Sequence, residues 1–246
     1  MDPGIATLVA LGVGAGIISA MFGVGGGLVV VPVLHYVFGV DFKVATVISL
    51  AAIALQSPFG VYQHARRGAV SWRLGAWLAM GGAVGVAVGL WLQPQLSVSG
   101  LKLLMAILML YGAWRMVAAP PRTHEGHLPR PAVAGIGVVA GTASRLLGIG
   151  GGLLTVPLLA LTGTGMHTAV GSSLVPVFTN SLFAAAVAAG QGVDLRFAVW
   201  VGLGALAGSP IGVRLAHGLA ERGLKRAFAA ALTVAALYIG ATSGVF

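Results

Sequence analysis

The sequence predicts an all-α polytopic integral membrane protein with two inverted-topology repeats, and three observations lead to this prediction. Of the 246 residues, 58% are hydrophobic and only 8% are charged, whereas about 25% of an average soluble domain is charged. The apolar residues form runs of helical length, and a glycine-rich segment of the first half recurs in the second. With 14 Lys and Arg, 5 Asp and Glu and no Cys, the chain lacks the charged surface of a soluble domain, disulfides and thiolate metal ligands.

Ten apolar runs lie between charged residues and Gly or Pro breaks. A bilayer core about 30 Å thick needs roughly 20 apolar residues per helical crossing, so most runs are long enough to cross. The runs cover 5–22, 26–39, 44–63, 74–92, 98–118, 132–147, 151–163, 169–189, 197–213 and 227–243. The one long polar stretch, 119–131, divides the chain into a first membrane repeat, 1–118, and a second membrane repeat, 132–246.

The two halves are copies of each other. The segment 22–32, FGVGGGLVVVP, aligns with the segment 147–157, LGIGGGLLTVP. The aligned positions further along are Ser49 with Ser173, Gln56 with Asn180, and Gly81, Gly85 and Gly89 with Gly204, Gly208 and Gly212. So many matches in the same order indicate a duplication, which is typical of secondary transporters.

The glycine run predicts that the first apolar segment of each half is broken. Laid end to end, runs 5–22 and 26–39 would form about 50 Å of helix, which is too long for one crossing. We therefore expect a re-entrant helical hairpin whose short second arm begins at Leu28, and at Leu153 in the second half. With three further transmembrane helices, each half makes an odd number of net crossings, which inverts the second copy.

The distribution of basic residues agrees with inverted repeats. In this topology ten Lys and Arg fall on one side and three on the other, with Arg145 at a hairpin tip, whereas single crossings would give seven against six. Because basic residues concentrate in cytoplasmic loops, the 119–131 linker is expected to be cytoplasmic. Both termini are then extracytoplasmic, in a multi-pass protein of the inner (plasma) membrane.

Both glycine tips offer backbone amides to an anion. The first N–H groups of the helix after each tip have no partner within that helix, and the helix dipole adds positive potential there. Glycine also lets a ligand approach the backbone closely, so two inverted tips would form a site near the membrane midplane. The alternative is that these glycines only allow close helix packing. The candidate substrate-binding residues are Gly25, Gly26, Gly27, Gly150, Gly151, Gly152, Arg145, Gln56, Asn180, Ser172 and Ser173.

Arg145 is the single basic residue that this topology places within the membrane. A charge there is costly and is a functional candidate, but the side chain could instead extend to the interface. The hydroxyls and amides of the third span in each half either complete the hydrogen bonds of an oxyanion or tie helices together. His35, His64 and His167 are assigned no role in proton transfer.

The sequence lacks the residues and motifs that several functions require. No Asp or Glu lies inside a predicted span, which argues against a carboxylate relay for protons or sodium. The chain has no Walker loop and no Gly-x-Ser-x-Gly motif. We therefore expect a non-enzyme without catalytic residues, metal or cofactor. Its expected partners are a small inorganic or organic anion and the lipid bilayer, not nucleic acid, and a homodimer stays open as an alternative to a monomer.

The sequence resembles the TauE/SafE family of sulfite exporters over nearly its whole length. The two glycine-rich segments carry the resemblance, together with AVGSSL at 169–174 and RRG followed by VSW at 66–72. The resemblance implies transport of sulfite, sulfonates or related sulfur oxyanions across the cytoplasmic membrane. Moving one negative charge outward along an inside-negative potential is favourable by about 2.3 kcal/mol per 100 mV, so we expect export without a coupling ion. An anion channel and a non-transporting membrane scaffold remain the alternatives.

Overall fold

The computed structural model describes residues 4–118, 129–189 and 195–243. These residues form helices and no strand, and seven of the helices are long and apolar enough to cross a bilayer. The predicted all-α polytopic class is therefore confirmed. The helices are α1 (Ile5–Phe22), α2 (Gly27–Pro32), α3 (Phe42–Ala65), α4 (Trp72–Leu92), α5 (Val98–Ala118), α6 (Arg130–Leu147), α7 (Gly152–Leu161), α8 (Met166–Ala189), α9 (Arg196–Gly218) and α10 (Glu221–Ser243).

The helix ends follow from local chemistry. The carboxylate of Asp41 caps α3 by accepting the backbone amides of Lys43 and Val44 at 2.8 and 3.2 Å, which satisfies two amides that the helix itself cannot. Helix α6 begins at Arg130, inside the predicted linker, because Pro131 lies in its first turn, where proline needs no hydrogen bond. Most of the predicted linker lies outside the described residues.

Glycines allow helices of different repeats to pack backbone to backbone. A Cβ added at Gly12 of α1 would meet the carbonyl of Val201 in α9, and one added at Gly208 of α9 would meet the carbonyl of Val13. Residues later in α1 contact residues later in α9, so the two helices run parallel to each other. The repeat-equivalent pair, α6 and α4, packs in the same way. Each repeat therefore packs its first helix against the other repeat.

Helices α3 and α8 lie side by side and run in opposite directions. A Cβ added at Gly60 of α3 would lie 3.3 Å from Leu174 Cδ1 of α8, and one added at Gly171 of α8 would lie 3.3 Å from His64 Cβ of α3. Residues later in α3 thus contact residues earlier in α8. Since α3 and α8 hold equivalent positions in the two repeats, these equivalent helices are antiparallel.

The two hairpins open at opposite ends of α10. Tyr36 follows α2 and packs edge-on against Tyr238, near the end of α10, with ring centroids 5.9 Å apart. The second hairpin leads into α8, where the backbone amide of Met166 donates to Glu221 Oε1, at the start of α10, over 3.1 Å. Because Glu221 and Tyr238 are 17 residues apart in α10, about 26 Å of helix separates the two openings.

The outside of the bundle is apolar, and the polar side chains of the central helices are turned inward. Met80, Trp91, Trp114, Val117 and Val234 are all more than half exposed, whereas hydroxyl and amide side chains of α3 and α8 are buried. A lipid environment requires this distribution, because hydrocarbon accepts no hydrogen bonds.

Candidate functional site

A glycine turn breaks each hairpin. Gly23 ends α1 and Gly148 ends α6, with φ of 70° and 71°, and Gly26 and Gly151 precede the next helix, with φ of 76° and 84°. An L side chain is strained at these angles, so the turns require glycine. The predicted break is therefore present in both repeats.

The helix after each break begins one residue earlier than predicted, at Gly27 and Gly152 rather than at Leu28 and Leu153. At the first break the chain turns back along its own helix, because a Cβ added at Gly26 would lie 2.9 Å from the carbonyl oxygen of Ala15. The second break repeats this arrangement. The second arms are short: α2 continues only as a π-helical turn, Val33–Val37, and α7 has 10 residues.

The two glycine tips, 23–27 and 148–152, pass each other in opposite directions. A Cβ added at Gly27 would collide with the carbonyl of Gly148, and one added at Gly152 would collide with the carbonyl of Gly23. Between these contacts, the Cβ position of Gly150 lies 3.5 Å from Gly25 Cα. We call this place the tip crossing.

The tip crossing lies beside the midpoints of α3 and α8, the two central helices. Val177 Cγ1 lies 3.0 Å from the Cβ position of Gly25 and 3.1 Å from that of Gly150, and Ile53 Cδ1 lies 3.3 Å from that of Gly25. Ile53 and Val177 are each the twelfth residue of a 24-residue helix. Helices of that length are suited to crossing a bilayer.

Serine hydroxyls bind the tips across the repeats. Ser49 Oγ donates to the carbonyl of Gly148 at 2.7 Å, and Ser173 Oγ lies 2.9 Å from the carbonyl of Gly23 and 2.8 Å from that of Val170. Ser172 Oγ accepts the backbone amide of Ser71 at 2.8 Å. The predicted residue Ser173 thus contacts the first tip, whereas Ser172 contacts the segment before α4, and each has a protein partner.

The backbone amides of the tips have no protein acceptor in the described parts of the chain. Buried amides normally have partners, and one without costs roughly 1–3 kcal/mol. The tip residues are all buried. The amides concerned are those of Gly25, Gly26, Gly27, Gly150, Gly151 and Gly152.

Buried polar side chains without partners occur in repeat-related pairs. The hydroxyl oxygens of Ser19 and Ser144, in the last turn before each tip, have no hydrogen-bond partner. Neither do the side-chain nitrogens of Gln56 and Asn180, nor Asn180 Oδ1. All four residues are at most 1% exposed. Groups of this kind mark places where a ligand, an ion or a water completes the bonding.

Arg145 is the buried cation of the described residues. Its side chain is 5% exposed, and its Nε and Nη1 atoms have no partner. The Cβ position of Gly89 in α4 lies 2.8 Å from Arg145 Cβ, so the arginine packs between α6 and α4. Gln93 Nε2 donates to the Arg145 carbonyl at 3.3 Å. The guanidinium is therefore inside the protein, with at least two nitrogens available to an acceptor.

Two of the three histidines singled out in the sequence, His64 and His167, are linked by another histidine, His217. His217 Nε2 lies 3.2 Å from His64 Nδ1, and the His217 ring stacks on His167 with centroids 5.2 Å apart. His64 Nε2 lies 2.8 Å from the Ala20 carbonyl, whereas His35 is separate. No cluster suited to a metal ion occurs among the residues that the structure describes. The sequence gives no signal for His217, because 153 residues separate it from His64.

Repeated broken hairpins around two central helices are the architecture of secondary transporters, so fold and site define a multi-pass membrane protein of the transporter class. The family model described as sulfite exporter TauE/SafE matches residues 8–239. The chain therefore belongs to the TauE/SafE sulfite exporter family.

Curated relatives have names that indicate a transporter rather than an enzyme. A probable membrane transporter protein of Xylella fastidiosa strain 9a5c is 31% identical over 238 residues, which cover 91% of this chain and 90% of the relative. A protein of the same description from strain Temecula1 is 29% identical, with the same coverage. One from Methanocaldococcus jannaschii is 28% identical over 68% of this chain and 66% of its own length. No solved structure gives a significant match.

Proposed function

We propose that the protein exports a sulfur oxyanion, such as sulfite or an organosulfonate, by alternating access around the tip crossing. The observation that carries this proposal is the set of buried, unpartnered amides of the two tips, together with buried, unpartnered polar side chains on the adjacent helices. The family supports transport of a sulfite-type anion, and the names of the relatives support membrane transport.

The donors at the tip crossing suit an oxyanion. Backbone amides, serine hydroxyls and carboxamide nitrogens direct hydrogen bonds at its oxygens, and the two helix dipoles add positive potential. Arg145 supplies a full positive charge in a medium where charge interactions are strong. Ser173 holds the carbonyl of Gly23 in the first tip, so its contribution is to position the amides of that tip, whereas Ser172 binds the amide of Ser71 before α4.

Inverted repeats provide the conformational mechanism. The antiparallel pairing of α3 with α8 and the hairpins at opposite ends of α10 support the inverted topology. The tips are buried, so a bound anion is released only when the surrounding helices move. We propose that the α1–α9 and α4–α6 pairs rock against α3 and α8, exposing the crossing to one side at a time.

The membrane orientation follows from the basic residues. The end of the bundle where α3 and α9 end and α4 and α10 begin carries most of the Lys and Arg, so it faces the cytoplasm of the inner membrane. Both chain termini are then extracytoplasmic. Of the described carboxylates, Asp41 and Glu221 lie at helix ends, away from the crossing. Export of an anion therefore proceeds down the membrane potential without a coupling ion.

Sulfite efflux from proteoliposomes tests this function. We expect saturable efflux that an inside-negative potential accelerates and that dissipating proton or sodium gradients leaves unchanged. Arg145→Met should reduce efflux at least tenfold, while Arg73→Gln, an exposed arginine outside the crossing, should leave it intact. Absence of sulfite flux in a folded preparation that sulfite does not stabilise against heat would favour the scaffold alternative. Single-channel currents would favour the channel.

A further inference from the structure

A second candidate site, lined by arginines together with apolar surface, lies outside the tip crossing, between α3 and α9. It is a cavity of about 450 Å³ at the end of the bundle where both helices end. We call it the arginine pocket. Its lining includes Arg66, Arg67, Arg214, Tyr62, Gln63 and Pro210.

The three arginines have no acidic partner among the described residues. Asp41 caps the opposite end of α3, and Glu221 pairs with Lys225 at 3.4 Å. Arg67 is held at the wall of the pocket, because its Nη1 donates to the Val213 carbonyl at 2.9 Å. Three guanidinium groups around one cavity repel each other, and each presents paired N–H groups that match the oxygens of an oxyanion.

A row of polar groups leads from the arginine pocket toward the tip crossing. Gln63 Nε2, in the pocket, donates to Ser209 Oγ at 3.3 Å. One turn further along α3, the Cβ position of Gly60 lies 3.9 Å from Ser209 Oγ and 3.7 Å from Gln56 Nε2. Gln56 is one of the unpartnered residues of the proposed substrate site. Gln63, Gly60 and Gln56 therefore lie along one face of α3, which leads from the pocket toward that site.

The other repeat does not reproduce the arginine pocket. The alignment of the two halves places Ala186 and Val187 at the positions of Tyr62 and Gln63, and Trp91 at the position of Arg214. The pocket is therefore a feature of one end of the bundle, although the tip crossing is shared by both repeats.

We propose that the arginine pocket is an oxyanion-binding site that loads the tip crossing from the cytoplasmic face alone. This role rests on the proposed function, whereas binding at the pocket does not. The ligand is a compact oxyanion, either free in solution or as the phosphate of an anionic lipid headgroup. An anion held by two or more guanidinium groups is concentrated at the entrance, which raises the rate of loading.

Calorimetric titration of sodium sulfite tests binding in nanodiscs of phosphatidylcholine. The double variant Arg66→Gln/Arg214→Gln should lose one bound sulfite per chain relative to the wild type, or bind it roughly a hundredfold more weakly, about tenfold for each arginine. Arg73→Gln is the matched control, because it removes an exposed arginine from the same end of the bundle. Unchanged stoichiometry and affinity in the folded double variant would overturn the proposal.

Nanodiscs that contain phosphatidylglycerol distinguish the two sources of the oxyanion. A lipid headgroup in the pocket should weaken sulfite binding to the wild type and leave the double variant unaffected, and native mass spectrometry should find phosphatidylglycerol retained by the wild type alone. No effect of phosphatidylglycerol, with sulfite bound in phosphatidylcholine, identifies the free anion. If neither ligand depends on the two arginines, these residues only anchor the bundle at the interface and the proposal fails.

Flux measurements from each face test the loading role. In the double variant, the half-saturating sulfite concentration should rise roughly tenfold or more when sulfite is supplied on the side of the membrane where the arginine pocket opens. It should stay unchanged when sulfite is supplied on the opposite side. Equal changes from both faces, or none, would overturn the loading role. Complete absence of sulfite transport by the wild type would instead contradict the proposed function, while the calorimetric result would still decide whether the pocket binds oxyanions.

Discussion

Ser49 in the first repeat donates a hydrogen bond from its hydroxyl to the carbonyl of Gly148 in the second, over 2.7 Å. The equivalent residue, Ser173, holds the carbonyl of Gly23 at 2.9 Å. Each repeat thus fixes the broken hairpin of the other. This reciprocal pairing directs the tip carbonyls toward the serines, while the buried amides of the tips stay without protein acceptors.

The two serines should stabilise the protein through these bonds. Ser49→Ala leaves a buried carbonyl unpaired, and we expect it to lower the free energy of unfolding by about 1–3 kcal/mol. The measurement is the midpoint of thermal unfolding in detergent. Ser99→Ala, in an exposed position of α5, is the control and should leave the midpoint unchanged. A Ser49→Ala midpoint equal to that of the control would contradict the assigned role.

Because the two tips approach closely, we predict that the last glycine of each tip, Gly27 and Gly152, tolerates no side chain. Gly27→Ala and Gly152→Ala should each prevent folding or lower stability by several kcal/mol, on the order of the cost of overpacking a core, since the new methyl group meets a backbone carbonyl. Gly14→Ala and Gly135→Ala have open space at the Cβ position and should be neutral or slightly stabilising. Size-exclusion profiles and unfolding midpoints of the four variants give the comparison.

The hairpins and the glycine tips were predictable because their signals are local. A glycine run followed by Pro32 or Pro157 ends a helix wherever it occurs, and the aligned halves show that it occurs twice. The α1–α9 pairing was not predictable, because a glycine series identifies a packing face but not the helix that covers it. The same limit applies to Gln93, Ser209 and His217, whose partners lie far away in sequence.

Substitutions of Ser19 and Ser144, whose hydroxyls have no partner, should affect ligand binding without affecting folding. Because neither has a protein partner, Ser19→Ala and Ser144→Ala should leave the unfolding midpoint of the ligand-free protein unchanged or slightly higher. The same variants should weaken sulfite binding, roughly threefold to tenfold for one neutral hydrogen bond. Calorimetry with sulfite, and with chloride as the control anion, makes the measurement. Loss of stability without loss of affinity would assign the serines a structural role.

Arg145 should lower the stability of the ligand-free protein and raise its affinity for anions. A buried guanidinium with two unpartnered nitrogens bears an uncompensated desolvation cost, so Arg145→Met should raise the free energy of unfolding by about 1–4 kcal/mol, the range seen when buried charges are replaced by apolar residues. Sulfite should stabilise the wild type against heat, and this stabilisation should be lost in Arg145→Met and partly retained in Arg145→Lys, which keeps the charge. Thermal unfolding with increasing sulfite, against matched chloride, measures both effects. A destabilised Arg145→Met variant that still responds fully to sulfite would show that the arginine supports the α4–α6 contact and takes no part in binding the anion.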